Sequence, residues 1–283
     1  TDFAFAAILE DGSVVTWGHE DFGGDSSAVQ DQLRGVQQIQ ATGYAFAAIL
    51  EDGSVITWGD RDLGGDSSAV QDQLRGVQQI RATEQAFAAI LEDGSVVTWG
   101  SAEDGGDSSA VEDQLRGVQQ IQATRCGAFA AILEDGSVIT WGEAEDGGDT
   151  SAVQDQLRGV QQIQATSYAF AALLEDGSVI TWGEQRRGGD SSAVRDQLRG
   201  VQQIQATDYA FSAILADGSV VTWGDAACGG DSSAVRDQLR GVQQIQGTAN
   251  AFAAILADGS VVTWGHAETG GDSSAVASQL RFA

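Results

Sequence analysis

The chain has 283 residues, 42% of them hydrophobic, and a formal net charge of −27 at pH 7. This composition allows a sizeable core, and so acidic a surface disfavours binding to nucleic acid or to anionic membranes. The two cysteines, Cys126 and Cys228, are too few for a disulfide framework, and no apolar run reaches the length of a membrane span.

One segment of the chain recurs seven times. Its Trp-Gly pair returns every 41 residues, with a single step of 42 between Trp99 and Trp141. A fixed period of this size indicates an array of supersecondary units. We expect one domain, 1–283, made of seven repeats at about 1–41, 42–82, 83–123, 124–165, 166–206, 207–247 and 248–283.

Three strands and a loop are predicted within each repeat, in a constant order. The pieces are "VQQIQA" (Val36–Ala41), "AFAAIL" (Ala45–Leu50), "SVVTWG" (Ser13–Gly18 in its first copy) and "GGDSSAVQDQLRG" (Gly23–Gly35). The first three are short, apolar or alternating, and bounded by turn residues, as strands are. Asp-Gly between the second and third predicts a tight hairpin of the primed type, with positive φ. The last piece favours a loop with a short turn.

The middle strand is apolar on both faces, which predicts that both faces are covered. Sheets stacked as the blades of a β-propeller cover both faces, whereas a β-solenoid, the competing architecture, has a shorter rung. Seven units also suit a closed ring without capping repeats. The tryptophans are expected to pack between blades as structural residues: Trp17, Trp58, Trp99, Trp141, Trp182, Trp223 and Trp264.

The stretch "ILEDGSVVTWGHEDFGG" (8–24) resembles the regulator of chromosome condensation (RCC1) repeat, in which a D-G turn and a "-WG-" strand precede a glycine-containing loop. The 41-residue unit is similar to the short-bladed bacterial members, which include a β-lactamase-inhibitor propeller. The resemblance implies an all-β, seven-bladed propeller with mostly three-stranded blades. It implies little about function, because members serve as exchange factors, inhibitors, ligase-associated modules and a photoreceptor.

The strand "VQQIQ" occurs six times, whereas the other pieces occur seven times. We therefore expect one blade to lack its first strand. Such a blade exposes unpaired backbone groups, which a second chain could cover. Self-association or a larger assembly through this incomplete blade is a prediction of the sequence.

Differences between repeats concentrate in two segments, a dipeptide before "AF" and a tetrapeptide after "WG". Because successive strands alternate in direction, both segments are expected at the same end of each sheet. This variable face is the predicted protein-binding surface, with aromatic and basic anchors; unconstrained drift of exposed loops is the alternative. The candidate residues are Phe3, His19, Phe22, Tyr44, Arg61, Leu63, Arg125, Tyr168, Arg186, Arg187, Tyr209 and Asn250.

The pattern carries no sign of catalysis, so we expect a non-enzymatic protein without a cofactor or metal. The serines are repeated turn residues, and His19 and His266 are too few ligands for a metal. Two alternatives to a protein-binding scaffold stay open. One is a structural or engineered repeat protein without a partner; the other is a small-ligand or ion site in a central channel lined by Gln38 and Gln40.

Overall fold

The three apolar pieces of each repeat form the strands of a computed structural model that describes residues 1–276 and 278–280. The chain divides into two compact units. The first contains Thr1–Glu134 and Val138–Ala144, and the second contains Asp135–Ser137 and the described residues from Glu145 onward.

The first unit contains eleven strands within its described residues: β1 Ala4–Ile8, β2 Val14–Gly18, β3 Val36–Ala41, β4 Ala45–Leu50, β5 Val55–Gly59, β6 Val77–Ala82, β7 Ala86–Leu91, β8 Val96–Gly100, β9 Val118–Ala123, β10 Ala128–Leu133 and β11 Val138–Gly142. The second unit contains nine in its described part: β12 Val160–Ala165, β13 Ala169–Leu174, β14 Val179–Gly183, β15 Val201–Ala206, β16 Ala210–Leu215, β17 Val220–Gly224, β18 Val242–Gly247, β19 Ala251–Leu256 and β20 Val261–Gly265.

The strands form seven antiparallel sheets, one per repeat. Sheets two to seven have three strands with the "AFAAIL" strand in the middle, as in β3-β4-β5. The first sheet consists of β1 and β2 only, which confirms that one blade lacks its first strand. The architecture is all-β, and the seven sheets are the blades of a seven-bladed β-propeller.

The hairpin between the second and third strands differs in type from the predicted one. In the first repeat the Gly12 N–H donates to the Leu9 carbonyl at 2.9 Å, and the Leu9 N–H donates to the Ser13 carbonyl at 2.8 Å. Gly12 has a φ of 75°, and throughout residues 1–276 and 278–280 positive φ occurs only at glycine. A type I′ turn with Asp-Gly at its centre needs positive φ at both residues, so this is instead a three-residue loop that ends on a left-handed glycine.

The first strand of each three-stranded sheet contains a bulge. Its register moves from Val77↔Leu91 to Gln79↔Ile90, so Gln78 is an extra residue. Val77 and Ile80 therefore face the same core, rather than the opposite faces that strict alternation predicts.

Short helical turns occupy most of the variable tetrapeptides and parts of the loops that follow them. The described turns in the first unit or at its boundary are Glu20–Phe22, Arg61–Gly65, Ala102–Gly106, Glu112–Gln114 and Ala144–Gly148; those in the second are Gln154–Gln156, Gln185–Arg187, Ser192–Val194, Ala226–Cys228, Ser233–Val235, Ala267–Thr269 and Ser274–Val276. None of these helical segments is long and apolar enough to cross a membrane.

The core lies between consecutive sheets of a unit. Where two consecutive sheets of a unit meet, the contacting face of the later sheet is here called its incoming face and that of the earlier sheet its outgoing face. The same names are used for the equivalent faces of every sheet. Phe87 and Trp99 of the third sheet thus share a buried cluster with Ala47 of the second. Alanines on the outgoing face allow this close approach, and the aromatic rings fill the space.

Six tryptophans also form a hydrogen bond to the preceding repeat, from the indole Nε1 to a glycine carbonyl at 3.0–3.1 Å. These six side chains are only 4–5% exposed. They are Trp58, Trp99, Trp141, Trp182, Trp223 and Trp264.

Trp17 departs from the environment predicted for all seven tryptophans. It is 50% exposed, although its sequence context matches the others. The described residues leave the incoming face of the first sheet uncovered, so half of the Trp17 surface stays in contact with solvent.

Candidate functional site

The two variable segments of a repeat meet at one end of its sheet. The N–H of the first tetrapeptide residue donates to the carbonyl of the last dipeptide residue, as from Asp60 to Tyr44 at 3.1 Å and from Glu184 to Tyr168 at 3.0 Å. The same bond occurs in all seven repeats. Each repeat therefore presents its variable residues as one patch, here called the variable patch.

The dipeptide loops of consecutive repeats are joined by backbone hydrogen bonds. In the first unit the Gly43 N–H donates to the Glu84 backbone carbonyl at 2.8 Å, and the Glu84 N–H donates to the Arg125 backbone carbonyl at 2.7 Å. In the second unit Ser167 donates to Asp208 at 3.0 Å, and Asp208 donates to Ala249 at 2.9 Å. These bonds fix the spacing of neighbouring variable patches within each unit.

Four candidate residues of repeats 1 and 2 form an aromatic cluster in the first unit, here called the Phe22 cluster. The Phe22 ring lies 5.0 Å from Phe3, 5.3 Å from Tyr44 and 4.5 Å from His19, measured between centroids. Phe3 is 49% exposed, and His19 is exposed as well. Such aromatic side chains present large contact area at low entropic cost.

Three candidate residues of repeats 5 and 6 form a second cluster, here called the Arg187 cluster, in the second unit. The Arg187 guanidinium carbon lies 3.7 Å from the Tyr168 ring centroid and 5.2 Å from that of Tyr209. The two tyrosine rings are 5.8 Å apart. Arg187 is held by its backbone, because its N–H donates to the Glu184 carboxylate at 2.8 Å. Both tyrosine rings are partly exposed, and the cation–π contacts with Arg187 fix their arrangement.

Two of the predicted basic anchors are engaged in ion pairs. Arg125 lies 2.7 Å from Asp2 and 3.5 Å from Glu84, so it links the dipeptide loops of three repeats. Arg61 lies 2.7 Å from Asp66, and this hydrogen bond, together with those from Ser68, lowers the pKa of Asp66 to about 2. Both arginines are thus positioned by carboxylates rather than isolated, whereas Arg186 is exposed to solvent.

The remaining candidates, Leu63 and Asn250, have positioning contacts. The Leu63 carbonyl accepts a hydrogen bond from the Thr42 hydroxyl at 3.2 Å. The Asn250 side-chain oxygen accepts one from the Cys228 thiol at 3.4 Å. Burial raises the pKa of Cys228, and the charges of Asp225 and Asp208 add to this effect. Cys228 is a variable-patch residue that the sequence analysis did not select, although its place in the tetrapeptide could have identified it.

A groove of about 690 Å³ lies between the tetrapeptide turns of repeats 1 and 2. Its lining includes Asp21, Phe22, Asp60 and Arg61. It therefore adjoins the Phe22 cluster and combines an aromatic wall with a mostly acidic rim.

The opposite, hairpin end of the sheets is uniform. Cavities of about 540 Å³ occur there in both units, and their lining residues occupy equivalent positions in different repeats, as Asp93 and Asp217 do. Such cavities are a feature of the repeat and not of one site. No cluster of three or more metal-ligating side chains occurs within residues 1–276 and 278–280.

No protein-family model and no curated protein sequence matches the chain. Among solved structures it is similar to Prp20p of Saccharomyces cerevisiae, with a TM-score of 0.52, 15% identity, and coverage of 94% of this chain and 81% of that one. A second similar structure is yeast RCC1 (Prp20) bound by Kap60, with a TM-score of 0.51, 16% identity, and coverage of 94% of this chain and 79% of that one. A third is the CRINKLY WD40 ectodomain of the Arabidopsis thaliana receptor kinase ACR4, with a TM-score of 0.51, 15% identity, and coverage of 93% of each chain. The chain therefore has the fold of an RCC1-like repeat propeller.

Proposed function

We propose that this chain is a non-catalytic protein-binding propeller that recognises its partner through the variable patches. The observation that carries the proposal is the origin of the two aromatic clusters. Both are built entirely from the segments in which otherwise near-identical repeats differ. The repeats supply a uniform frame, and the patches supply the chemical identity of the surface.

The chemistry of the clusters fits protein recognition. Binding energy at protein interfaces concentrates in aromatic and arginine side chains. Here such side chains are held in place by stacking, by cation–π contact and by backbone hydrogen bonds, so little entropy is lost when a partner binds.

The similar yeast propeller supports the class of partner. Its structures are described with binding to Gsp1p and histones and in complex with Kap60, all of them proteins. A net charge of −27 disfavours nucleic acid and favours a partner with basic surface.

A capture experiment tests the proposal. The immobilised protein is exposed to a nuclease-treated lysate of its source, and retained proteins are quantified by mass spectrometry. Two double variants remove one cluster each: Phe22→Ala with Tyr44→Ala, and Tyr168→Ala with Tyr209→Ala. At least one should lower retention of a specific protein about tenfold, the effect of losing roughly 1.4 kcal/mol of binding energy.

The matched control is Glu51→Ala with Glu92→Ala at the hairpin end. Repeats 6 and 7 naturally carry alanine there, as Ala216 and Ala257, so the fold tolerates the change. The control should retain the same proteins as the unmodified chain. Equal retention by all variants, or no specific protein at all, would favour a structural repeat protein without a partner. Retention from an untreated lysate that is lost with the nuclease-treated one would indicate nucleic acid.

A further inference from the structure

The first sheet presents an apolar incoming face to solvent. Phe5 is 65% exposed and Trp17 50% exposed, and beside them Leu9 and Val15 are 46% and 48% exposed. The equivalent Phe46 of the second repeat is only 4% exposed. These residues of the first sheet form the largest group of exposed hydrophobic side chains in the described chain. An apolar patch of this kind marks an interaction surface.

The seventh repeat presents the complementary outgoing face. Gly270 is exposed, although the six equivalent glycines are buried. Ala253 and Ile255 are partly exposed, whereas Ala47 and Ile49 at the same positions of the second repeat are 0% and 6% exposed. Val276 in the following turn is 42% exposed.

We propose that the incoming face of the first sheet binds the outgoing face of the seventh repeat of a second copy of this chain, head to tail. The repeats themselves identify the occupant. Five interfaces between consecutive sheets within the two units already pair these two face types. Each places a phenylalanine and a tryptophan against the glycine loop of the preceding repeat. The proposed joint uses the same residue types on both sides.

Both faces are already shaped for this joint. The Phe5 and Trp17 rings are stacked with centroids 5.3 Å apart and 17° between their planes, close to the 5.1 Å and 23° of Phe46 and Trp58. A Cβ atom on Gly229 would lie 2.6 Å from the Phe252 ring, which fills that space in the internal joint. On Gly270 the nearest atom would be 3.8 Å away, so the space for the Phe5 ring is open.

Electrostatic repulsion between the copies determines how association through this interface depends on salt concentration. The side chains that would meet are uncharged, but each copy has a net charge of −27, so the copies repel one another. Added salt screens this repulsion and leaves apolar contact in place. Association should therefore strengthen with ionic strength, whereas association through surface ion pairs would weaken.

Light scattering after size exclusion tests the proposal on the full chain, whose mass is 29.4 kDa. Trp17→Glu disables the incoming face, and Ala253→Arg disables the outgoing face. The unmodified chain should show masses above 29.4 kDa that rise with protein and salt concentration. Each variant alone should be monomeric. Their equimolar mixture should form a dimer, because each supplies the face that the other lacks.

Trp17→Phe is the conservative control, since it keeps an aromatic ring on the face and should retain much of the association. Far-ultraviolet dichroism and melting of each variant check that the sheets remain folded. A mass of 29.4 kDa for the unmodified chain at every concentration and salt level would overturn the proposal. So would a mixture that is no heavier than its components.

Discussion

Each tryptophan of the Trp-Gly pair stacks on the phenylalanine opposite to it in its own sheet, at centroid distances of 5.1–5.3 Å. This stacking occurs at Trp17 as well as at the six buried positions, so it is a property of the single repeat. Burial is different, because it depends on the repeat that comes before. The contributions of ring stacking and of burial to the free energy of unfolding can therefore be separated within one protein.

Replacing Trp99 with alanine should cost about 3–5 kcal/mol in the free energy of unfolding, because the side chain is 4% exposed and its loss leaves a cavity. Replacing Trp17 should cost about 2 kcal/mol or less, since half of its surface is exposed before the change. Urea unfolding followed by far-ultraviolet dichroism measures both. Equal costs would show that Trp17 is buried in solution.

The basic candidates show where residue-level prediction from the sequence ends. The repeat comparison identified Arg61 and Arg125 as unusual, and both are indeed in variable patches. The partner of Arg61 is local, since Asp66 is five positions further along the chain, whereas the ion pair of Arg125 depends on Asp2, 123 positions away. A distance of that kind follows from how repeats stack and not from local sequence.

At the scale of the strand and turn, the sequence was most informative. The pieces "VQQIQA" and "AFAAIL" coincide with β3 and β4, because apolar pattern and turn residues mark both of their ends. The bulge at Gln78 and its equivalents escaped prediction, since an extra residue leaves no composition signal in a six-residue strand. The hairpin type was predicted wrongly, because Asp-Gly occurs both in two-residue type I′ loops, where the aspartate also has positive φ, and in three-residue loops, where only the glycine does.

The glycine loops allow steric crowding to be separated from backbone strain. Gly188 and Gly270 have nearly equal φ values, 109° and 113°, so alanine strains the backbone equally at both. A Cβ on Gly188 would lie 2.5 Å from the Phe211 ring, whereas on Gly270 nothing is nearer than 3.8 Å. Gly188→Ala should therefore cost about 1–3 kcal/mol more than Gly270→Ala.

Thermal and urea unfolding of these two variants, measured at dilute protein, provide the comparison. The unmodified chain is the reference for both. A cost at Gly270 as large as that at Gly188 would mean that the glycine of the seventh repeat is crowded by an aromatic ring in solution.

For the whole molecule, the repeat period and the two-sided apolar strand were sufficient to predict a seven-bladed all-β propeller, and the count of six "VQQIQ" strands was sufficient to predict one incomplete sheet. The exposure of Trp17 was not predictable in the same way. The first repeat has the same residues around its tryptophan as the others, and it differs in that the described residues leave its incoming face uncovered. Local sequence cannot encode that difference.

The same hydrogen-bonded aspartates recur in every repeat, so their lowered pKa values affect the stability of the whole molecule. Serine hydroxyl and backbone N–H groups donate to aspartate carboxylates in the hairpins and in the Gly-Gly-Asp loops, as at Asp11, where the bonds are 2.6 and 3.0 Å. They stabilise the charged form and lower the pKa below 3.8 at Asp11, Asp25, Asp52, Asp93, Asp107, Asp135, Asp149, Asp176, Asp190, Asp217, Asp231 and Asp272. At Asp66 the Arg61 guanidinium is the largest cause of the lowered pKa, and Ser68 adds to it.

Acid should therefore destabilise the fold. A carboxylate whose folded pKa is depressed contributes stability that is complete above the unfolded pKa, 3.8 for these groups, and is lost as pH falls through the folded value. Neutralising a net charge of −27 relieves repulsion and acts in the opposite direction. Measuring the urea midpoint in roughly 0.5 M NaCl removes most of that long-range term and leaves the short hydrogen bonds. Under these conditions the midpoint should be lower at about pH 3 than at about pH 7. An equal or higher midpoint at the acidic pH would mean that the serine–aspartate bonds do not persist in solution.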